Sequence, residues 1–215
     1  MKINFKKEIF PIVLIIASVI ASFYFYAHFP TQVVTHWNFQ GQANGYSDRA
    51  LGAFLFPGII LGIYLLFLVL PILDPKKERY EESIGPYNIF KNLLVVVLTI
   101  IYFIASISNL GYAFNVGYFV AGIIGLMIMI MGNYMGKLKP NWFVGIRTPW
   151  TISSENVWTK THRLGGILMM IFGVVIIISP WLPETLAMVL FIVSAIAFSL
   201  GSMIYSYVIY RQEKK

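Results

Sequence analysis

Six long apolar runs alternate with polar segments along the chain. Most of the runs are near the roughly 20 residues that a helix needs to cross the hydrocarbon core of a bilayer, and the fifth is the shortest. Inside that core the backbone must satisfy its own hydrogen bonds, so these runs predict helices. The pattern therefore predicts an all-α, polytopic membrane protein with six transmembrane helices, placed at about 9–27, 53–73, 93–110, 117–135, 164–178 (running on into Trp181) and 186–207.

The first run has basic residues before it, as a signal peptide does. It is too long for a typical signal-peptide core, however, and it ends in four aromatic residues rather than in a small-residue cleavage site. We therefore interpret it as a retained first span. No shift in composition marks a second domain, so residues 1–215 are predicted to form a single six-helix membrane domain.

Charge gives the predicted orientation. Hydrophobic residues make up 58% of the chain and charged residues only 12%, about half the charged share of a soluble domain. With six spans, all of the 16 Lys and Arg residues except Arg49 fall on one side, and the positive-inside rule makes that side cytoplasmic. Both termini are therefore predicted to be cytoplasmic, and the net charge of +7 is explained without direct nucleic-acid binding. The residues on the basic side are Lys2, Lys6, Lys7, Lys76, Lys77, Arg79, Lys91, Lys137, Lys139, Arg147, Lys160, Arg163, Arg211, Lys214 and Lys215.

The middles of the predicted spans contain no ionisable side chain. Glu8 is placed at the first interface and Glu184 in a short outer loop. Ion-driven carriers usually need such a group within the bilayer, so the pattern argues against that class. Mild polar residues such as Asn109 and Asn133 suit hydrogen bonds between helices. The fourth run has four glycines that favour close helix packing over a functional hinge: Gly122, Gly125 and the small-x-x-x-small pair Gly132 and Gly136.

The first outer loop, residues 28–50, is expected to be ordered. At about 22 residues it is long for a structureless connection. Gly41 and the pair Asn44-Gly45 are turn signals. The apolar alternation over residues 33–37 predicts either a short strand or an interfacial segment.

The fourth connection, residues 137–163, contains three of the five Trp residues. Pro149 ends any helix before it, and Thr151 or Ser153 can cap an amphipathic helix that runs into the fifth span. The segment is either an interfacial elbow, with Trp and basic side chains at the lipid head groups, or a docking surface for a protein or an anionic ligand. By helical spacing, one face of the helix carries Trp158, Thr161, His162 and Gly165, and another carries Lys160 and Arg163.

Neither a metal site nor a catalytic site is predicted. His28 and His36, with Asp48 as the nearest acid, do not match a zinc spacing, and there is no cysteine. The sequence has no P-loop, H-E-x-x-H or G-x-S-x-G motif. His162 has serines nearby but no orienting acid at a telling position. We therefore expect no cofactor and no enzyme activity.

The fourth connection closely resembles the signature of the SdpI family of bacterial membrane proteins. The outer loop resembles a domain of unknown function that often stands at the front of these proteins, and the length and helix count fit as well. The residues that carry the first resemblance are Asn141-x-x-x-Gly145-Ile146-Arg147-Thr148-Pro149-Trp150-Thr151 and Val157-Trp158-x-x-Thr161-His162-Arg163. Those that carry the second are Pro30, His36-Trp37-Asn38-x-x-Gly41 and Gly45-Tyr46-Ser47.

The resemblance implies a multi-pass protein of the bacterial cell membrane. The namesake of the family is an immunity protein against a secreted peptide toxin. It is also thought to act as a receptor that holds a small transcriptional repressor at the membrane. The partners implied here are therefore the lipid bilayer, a secreted peptide toxin and a cytoplasmic repressor protein.

This hypothesis assigns one set of residues to each side of the membrane. Two other functions stay open: a small-molecule or lipid transporter or exporter, and a membrane enzyme that acts on lipid or peptide. The outer loop would bind the peptide through His36, Trp37, Asn38, Gly41, Gly45 and Tyr46. The inner segment would dock the partner through Asn141, Gly145, Arg147, Thr148, Pro149, Trp150, Thr151, Trp158, Thr161, His162 and Arg163.

Overall fold

The computed structural model describes residues 5–38, 41–75 and 79–214. Six helical segments in these ranges are long and apolar enough to cross a membrane, which confirms the six predicted spans. Four basic residues used for the predicted orientation, Lys2, Lys76, Lys77 and Lys215, lie outside the described residues. The elements are α1 (Phe5–His28), β1 (Gln32–Trp37), β2 (Ala43–Asp48), α2 (Arg49–Leu73), α3 (Arg79–Glu82), α4 (Ile84–Asn109), α5 (Val116–Met135), α6 (Pro149–Ser153), α7 (Glu155–Ile178), a 3-10 turn (Ser179–Trp181), α8 (Glu184–Ile196), a π-helical turn (Ala197–Gly201) and α9 (Ser202–Glu213).

Two helices begin well before their apolar runs. α4 begins at Ile84 rather than near residue 93, and α7 begins at Glu155 rather than near residue 164. Ser154 caps α7 by accepting a backbone N–H of its first turn, so the caps predicted at Thr151 and Ser153 are wrong. The apolar pattern marks only the stretch of a helix that is suited to the hydrocarbon core. The same helix continues beyond that stretch through more polar residues.

The helices pack as two halves that meet along α4 and α5. In the first half, α1, α2 and α4 pack on one another and carry the β1–β2 hairpin. In the second half, α7 packs on α5, α6, α8 and α9. We call the end of the bundle with the hairpin the hairpin face, and the end with α3, α6, the start of α1 and the end of α9 the terminal face.

Close backbone contact between glycines joins α5 to α7. A Cβ added at Gly132 would lie 2.7 Å from the carbonyl oxygen of Gly166, and one added at Gly125 would lie 2.6 Å from that of Gly173. These paired glycines are seven residues apart on each helix. The predicted packing role is thus found at Gly125 and Gly132. Gly136 also lies against α7, where a Cβ would be 3.3 Å from the Arg163 side chain, whereas a Cβ at Gly122 would meet nothing within 4 Å.

A buried ion pair ties the first half together near the terminal face. The sequence places Lys91 in a connection and Glu8 at an interface, but in the structure both lie within helices and are only 2% and 6% exposed. Lys91 Nζ contacts both carboxylate oxygens of Glu8 at 2.5 Å, and the Tyr64 hydroxyl donates to the same carboxylate at 3.0 Å. One residue from each of α1, α2 and α4 therefore meets at this point. A buried charge requires such pairing, because desolvation of a lone ion is costly.

Candidate functional site

The loop on the hairpin face is an ordered antiparallel hairpin, and residues 33–37, where the sequence left a strand or an interfacial segment open, lie in its first strand, β1. Gly41 has φ +77° in the connection, a conformation that side chains other than glycine rarely adopt. At the end of the hairpin, the Asp48 carboxylate accepts the N–H groups of Ala50 and Leu51, both at 2.9 Å. The hairpin therefore leads directly into a capped α2.

Asn109, the last residue of α4, fixes the hairpin to the bundle. Its side-chain oxygen accepts the N–H of Val34 at 2.7 Å, and its side-chain nitrogen donates to the Val34 carbonyl at 2.9 Å. The preceding Val33 is buried against Gly52 of α2, where a Cβ would come within 2.2 Å of the valine. Sequence reasoning gave Asn109 only a general packing role, because nothing in the sequence shows which strand it meets.

The predicted peptide-binding residues divide into accessible side chains and backbone positions. His36 and Tyr46 are exposed, and Trp37 and Asn38 are half-buried. His36 Nδ1 lies 2.6 Å from the side-chain oxygen of Asn44. The two remaining residues are glycines that permit close contacts: a Cβ at Gly41, in the connection, would clash with the Asn115 side chain, and one at Gly45, in β2, would clash with His36.

A cavity of about 650 Å³ lies beneath the hairpin, between the two halves of the bundle. The strand β1 forms its roof, and α2, α4, α5, α7 and α8 contribute to its walls. Most of its lining is apolar. The cavity thus connects three of the predicted peptide-binding residues, His36, Trp37 and Asn38, with the interior of the membrane domain.

On the terminal face, Asn141 folds the connection between α5 and α6. Its side-chain nitrogen donates to the carbonyls of Lys139 and Val144, at 3.0 and 2.9 Å. Its side-chain oxygen accepts the N–H groups of Phe143 and Val144, at 3.0 and 2.7 Å. One buried side chain therefore satisfies four backbone groups of the loop.

His162 ties this loop to α7. Its Nε2 accepts the N–H of Ile146 at 3.0 Å, so its Nδ1 carries the proton and donates to the Trp158 carbonyl at 2.8 Å. The ring is fully buried and stacks on Trp158 at a centroid distance of 4.0 Å. Gly145 has φ +117°, and a Cβ there would lie 2.4 Å from Nε2, so the loop fits closely over the imidazole.

Hydroxyl groups connect α6 to α9. Thr148 and Thr151 form a reciprocal capping box at the start of α6, and the Thr148 hydroxyl lies 3.0 Å from that of Ser206 on α9. The Trp158 indole N–H donates to the Leu138 carbonyl at 2.8 Å. Sequence reasoning did not identify Ser206, because its partner lies 58 residues away.

Comparison with known proteins supports the resemblance drawn from the sequence. The SdpI/YfhL protein family matches residues 137–206, and a domain of unknown function, DUF1648, matches residues 13–61. The chain is also similar to the immunity protein SdpI of Bacillus subtilis (strain 168), with 25% identity over 199 residues that cover 92% of this chain and 93% of that protein. No solved structure matches it.

Within the SdpI/YfhL segment, most of the residues predicted to dock a partner turn inward. Their side chains hold the segment to the bundle, so they cannot contact another protein in this arrangement. The helix face expected at the lipid head groups also packs inside, around Trp158. The buried residues are Asn141, Thr148, Thr151, Trp158, Thr161 and His162; Gly145 and Trp150 are half-buried, and Arg147, Pro149 and Arg163 are exposed.

Proposed function

We propose that this chain is an SdpI-like immunity protein of the bacterial cell membrane that gives resistance to a secreted peptide toxin. Two findings support the proposal: its similarity to the immunity protein SdpI over nearly its full length, and an ordered hairpin seated over a cavity on one face. The hairpin face would be extracellular, because Lys and Arg residues concentrate on the cytoplasmic side of a membrane protein. Among the described basic residues, only Arg49 lies near the hairpin; Lys91 forms the buried ion pair, and the others lie at the terminal face.

The toxin would contact the accessible side chains of the hairpin. Tyr46 is 60% exposed, and His36 and Trp37 lie at the roof of the cavity. Aromatic side chains supply large contact areas with little loss of conformational entropy. This role is one of binding, which requires no catalytic group.

A second part of the proposal concerns signalling. A repressor protein in the cytoplasm would bind the terminal face through Arg147, Trp150 and Arg163, the basic and aromatic side chains among the exposed or half-buried members of the signature. A signal would cross only if the toxin favoured one of two arrangements of the bundle. Loss of reporter output in Arg147→Ala, with toxin resistance intact, would support this separation of roles.

Survival of a sensitive host during exposure to culture supernatants of related bacteria tests the main proposal. We expect the wild-type chain to protect, and Trp37→Ala and Tyr46→Ala to reduce protection. Tyr112→Ala is the matched control, since Tyr112 is 67% exposed but lies in another loop of the hairpin face. Absence of protection by wild-type protein confirmed in the membrane would contradict the proposal.

The cavity also favours a second candidate function, transport of a small molecule or lipid. Uptake by proteoliposomes that contain the purified chain would test it. Faster entry of the substrate into vesicles with wild-type protein than into protein-free vesicles would support transport over immunity.

A further inference from the structure

We propose that the cavity between the two halves binds a lipid with an uncharged head group, whose acyl chain enters from the leaflet on the hairpin face. This site is independent of any toxin, since it concerns the membrane in which the chain resides. The proposal rests on the depth, the lining, the size and the side opening of the cavity.

The depth of the cavity matches one leaflet. Its lining on α4 runs from Ile101 to Asn109, which is about 12 Å along a helix that rises roughly 1.5 Å per residue. The hydrocarbon of a single leaflet is about 15 Å thick. The cavity therefore extends from the head-group level through most of the leaflet, as an acyl chain does.

The lining selects an apolar chain with an uncharged polar end. Leu55, Ile124 and Phe191 are among the apolar side chains of the walls, whereas His36 and Asn44 lie at the roof. Among the described residues that line the cavity, none is Asp, Glu, Lys or Arg. A phosphate head group is usually held by Arg or Lys, so this roof suits hydroxyl and ester groups that form neutral hydrogen bonds.

The size of the cavity suits a small ligand. Its volume of about 650 Å³ lies within the range of small-molecule sites. A single extended acyl chain fits a space of this size.

The arrangement of the helices provides an entrance from the bilayer. Leu55 of α2 and Phe191 of α8 line the cavity from different halves. α2 packs on α1, α4 and the hairpin, while α8 packs on α7, so the two walls are joined mainly through α4 and α5. The cavity-lining residues Leu51 and Leu55 of α2 are themselves exposed, so we place the entrance on this side of the bundle. A dry void there would forfeit dispersion contacts, and an acyl chain restores them.

Photolabelling of the full chain in vesicles tests the site. The vesicles contain phosphatidylcholine, phosphatidylglycerol and a small fraction of a diacylglycerol probe with a diazirine on one chain. After irradiation, mass spectrometry maps the labelled residues. Ala121→Phe on α5 and Ala105→Phe on α4 fill the cavity from two walls. Ala17→Phe on the exposed side of α1 is the matched control.

We expect labels on wall residues such as Ile101 and Ile124, about tenfold weaker in either filled variant and unchanged in Ala17→Phe. A phosphatidic acid probe with the same chain should label the walls much less than the diacylglycerol probe. Undiminished labelling in both filled variants, or labels confined to lipid-facing residues such as Ile16, would overturn the site. Equal labelling by the two probes would overturn the preference for an uncharged head group. None of these outcomes depends on toxin resistance, so the two proposals can fail separately.

Discussion

The two halves of the bundle are held together in different ways. In the first half, side-chain interactions hold the elements together. The Glu8–Lys91 ion pair lies at one end, and the hydrogen bond between Asn109 and the hairpin lies at the other. In the second half, α5 and α7 approach until a Cβ at Gly132 or Gly166 would touch backbone atoms. A loop whose polar groups are turned inward then covers the terminal face of this half.

One histidine from each half of the bundle illustrates the difference between the halves. His28 in α1 and His162 in α7 each contact the carbonyl four residues earlier and stack on an aromatic ring, Tyr24 or Trp158, about 4 Å away. His28 is exposed, whereas His162 is buried and also accepts the Ile146 N–H. The two histidines thus share a local geometry, but they should contribute differently to the stability of the fold. His162 should contribute more, because it is buried and makes an additional hydrogen bond.

The largest effect is expected from Lys91→Met. It leaves the Glu8 carboxylate buried without its cation, which typically costs about 3 to 5 kcal/mol. We expect unfolding of the purified protein in mixed micelles at a much lower denaturing-detergent concentration. Lys7→Met, which removes an exposed charge beside Glu8, should change little.

The double variant Glu8→Gln with Lys91→Met separates charge from packing. Removal of both charges should recover most of the lost stability, because an apolar replacement of a buried pair is often close to neutral. If the double variant were as unstable as Lys91→Met alone, the ion pair would not be what joins α1 to α4.

Gly166→Ala tests the close contact of the second half. Its new Cβ would lie 2.5 Å from the Gly132 carbonyl oxygen, so α5 and α7 must separate. We expect a loss of about 3 kcal/mol, the upper part of the usual range for overpacking, measured by the same detergent unfolding. Gly122→Ala is the matched control, because a Cβ there meets nothing within 4 Å. It should leave stability unchanged or raise it by up to about 1 kcal/mol; equal losses in both variants would argue against the contact.

The comparison also shows what the sequence could predict. The six spans, the order in the first loop and the helix entering the fifth span follow from local patterns of apolar and turn residues. The Glu8–Lys91 pair joins residues 83 positions apart, and the glycine pairs depend on which faces of α5 and α7 meet. The local pattern of apolar and polar residues predicts neither the ion pair nor the glycine contacts. The inward turn of Trp158 was missed for a related reason, because Trp among basic residues also fits a helix at the membrane surface.

A smaller effect is expected from His162→Phe. The phenyl ring keeps the stacking on Trp158 but cannot accept a hydrogen bond, so the Ile146 N–H loses its partner. An unpaired buried donor costs about 1 to 3 kcal/mol. We expect a loss near 2 kcal/mol in detergent unfolding and faster hydrogen exchange at Ile146. His28→Phe makes the same change at the exposed histidine and should have little effect; similar losses at both sites would mean that the loop contact is not what gives His162 its importance.

The smallest global effect is expected from Asn109→Leu, which removes both hydrogen bonds to Val34. The hairpin then remains attached through the buried Val33, so we expect local loosening rather than unfolding of the bundle. Loss of about 1.4 kcal/mol would raise hydrogen exchange at the Val34 amide about tenfold, with little change in the unfolding midpoint. Asn133→Leu is the matched control, since Asn133 is exposed on α5. An unchanged exchange rate in Asn109→Leu would show that apolar contacts alone hold the hairpin, and the roof of the cavity would then depend on Val33 instead.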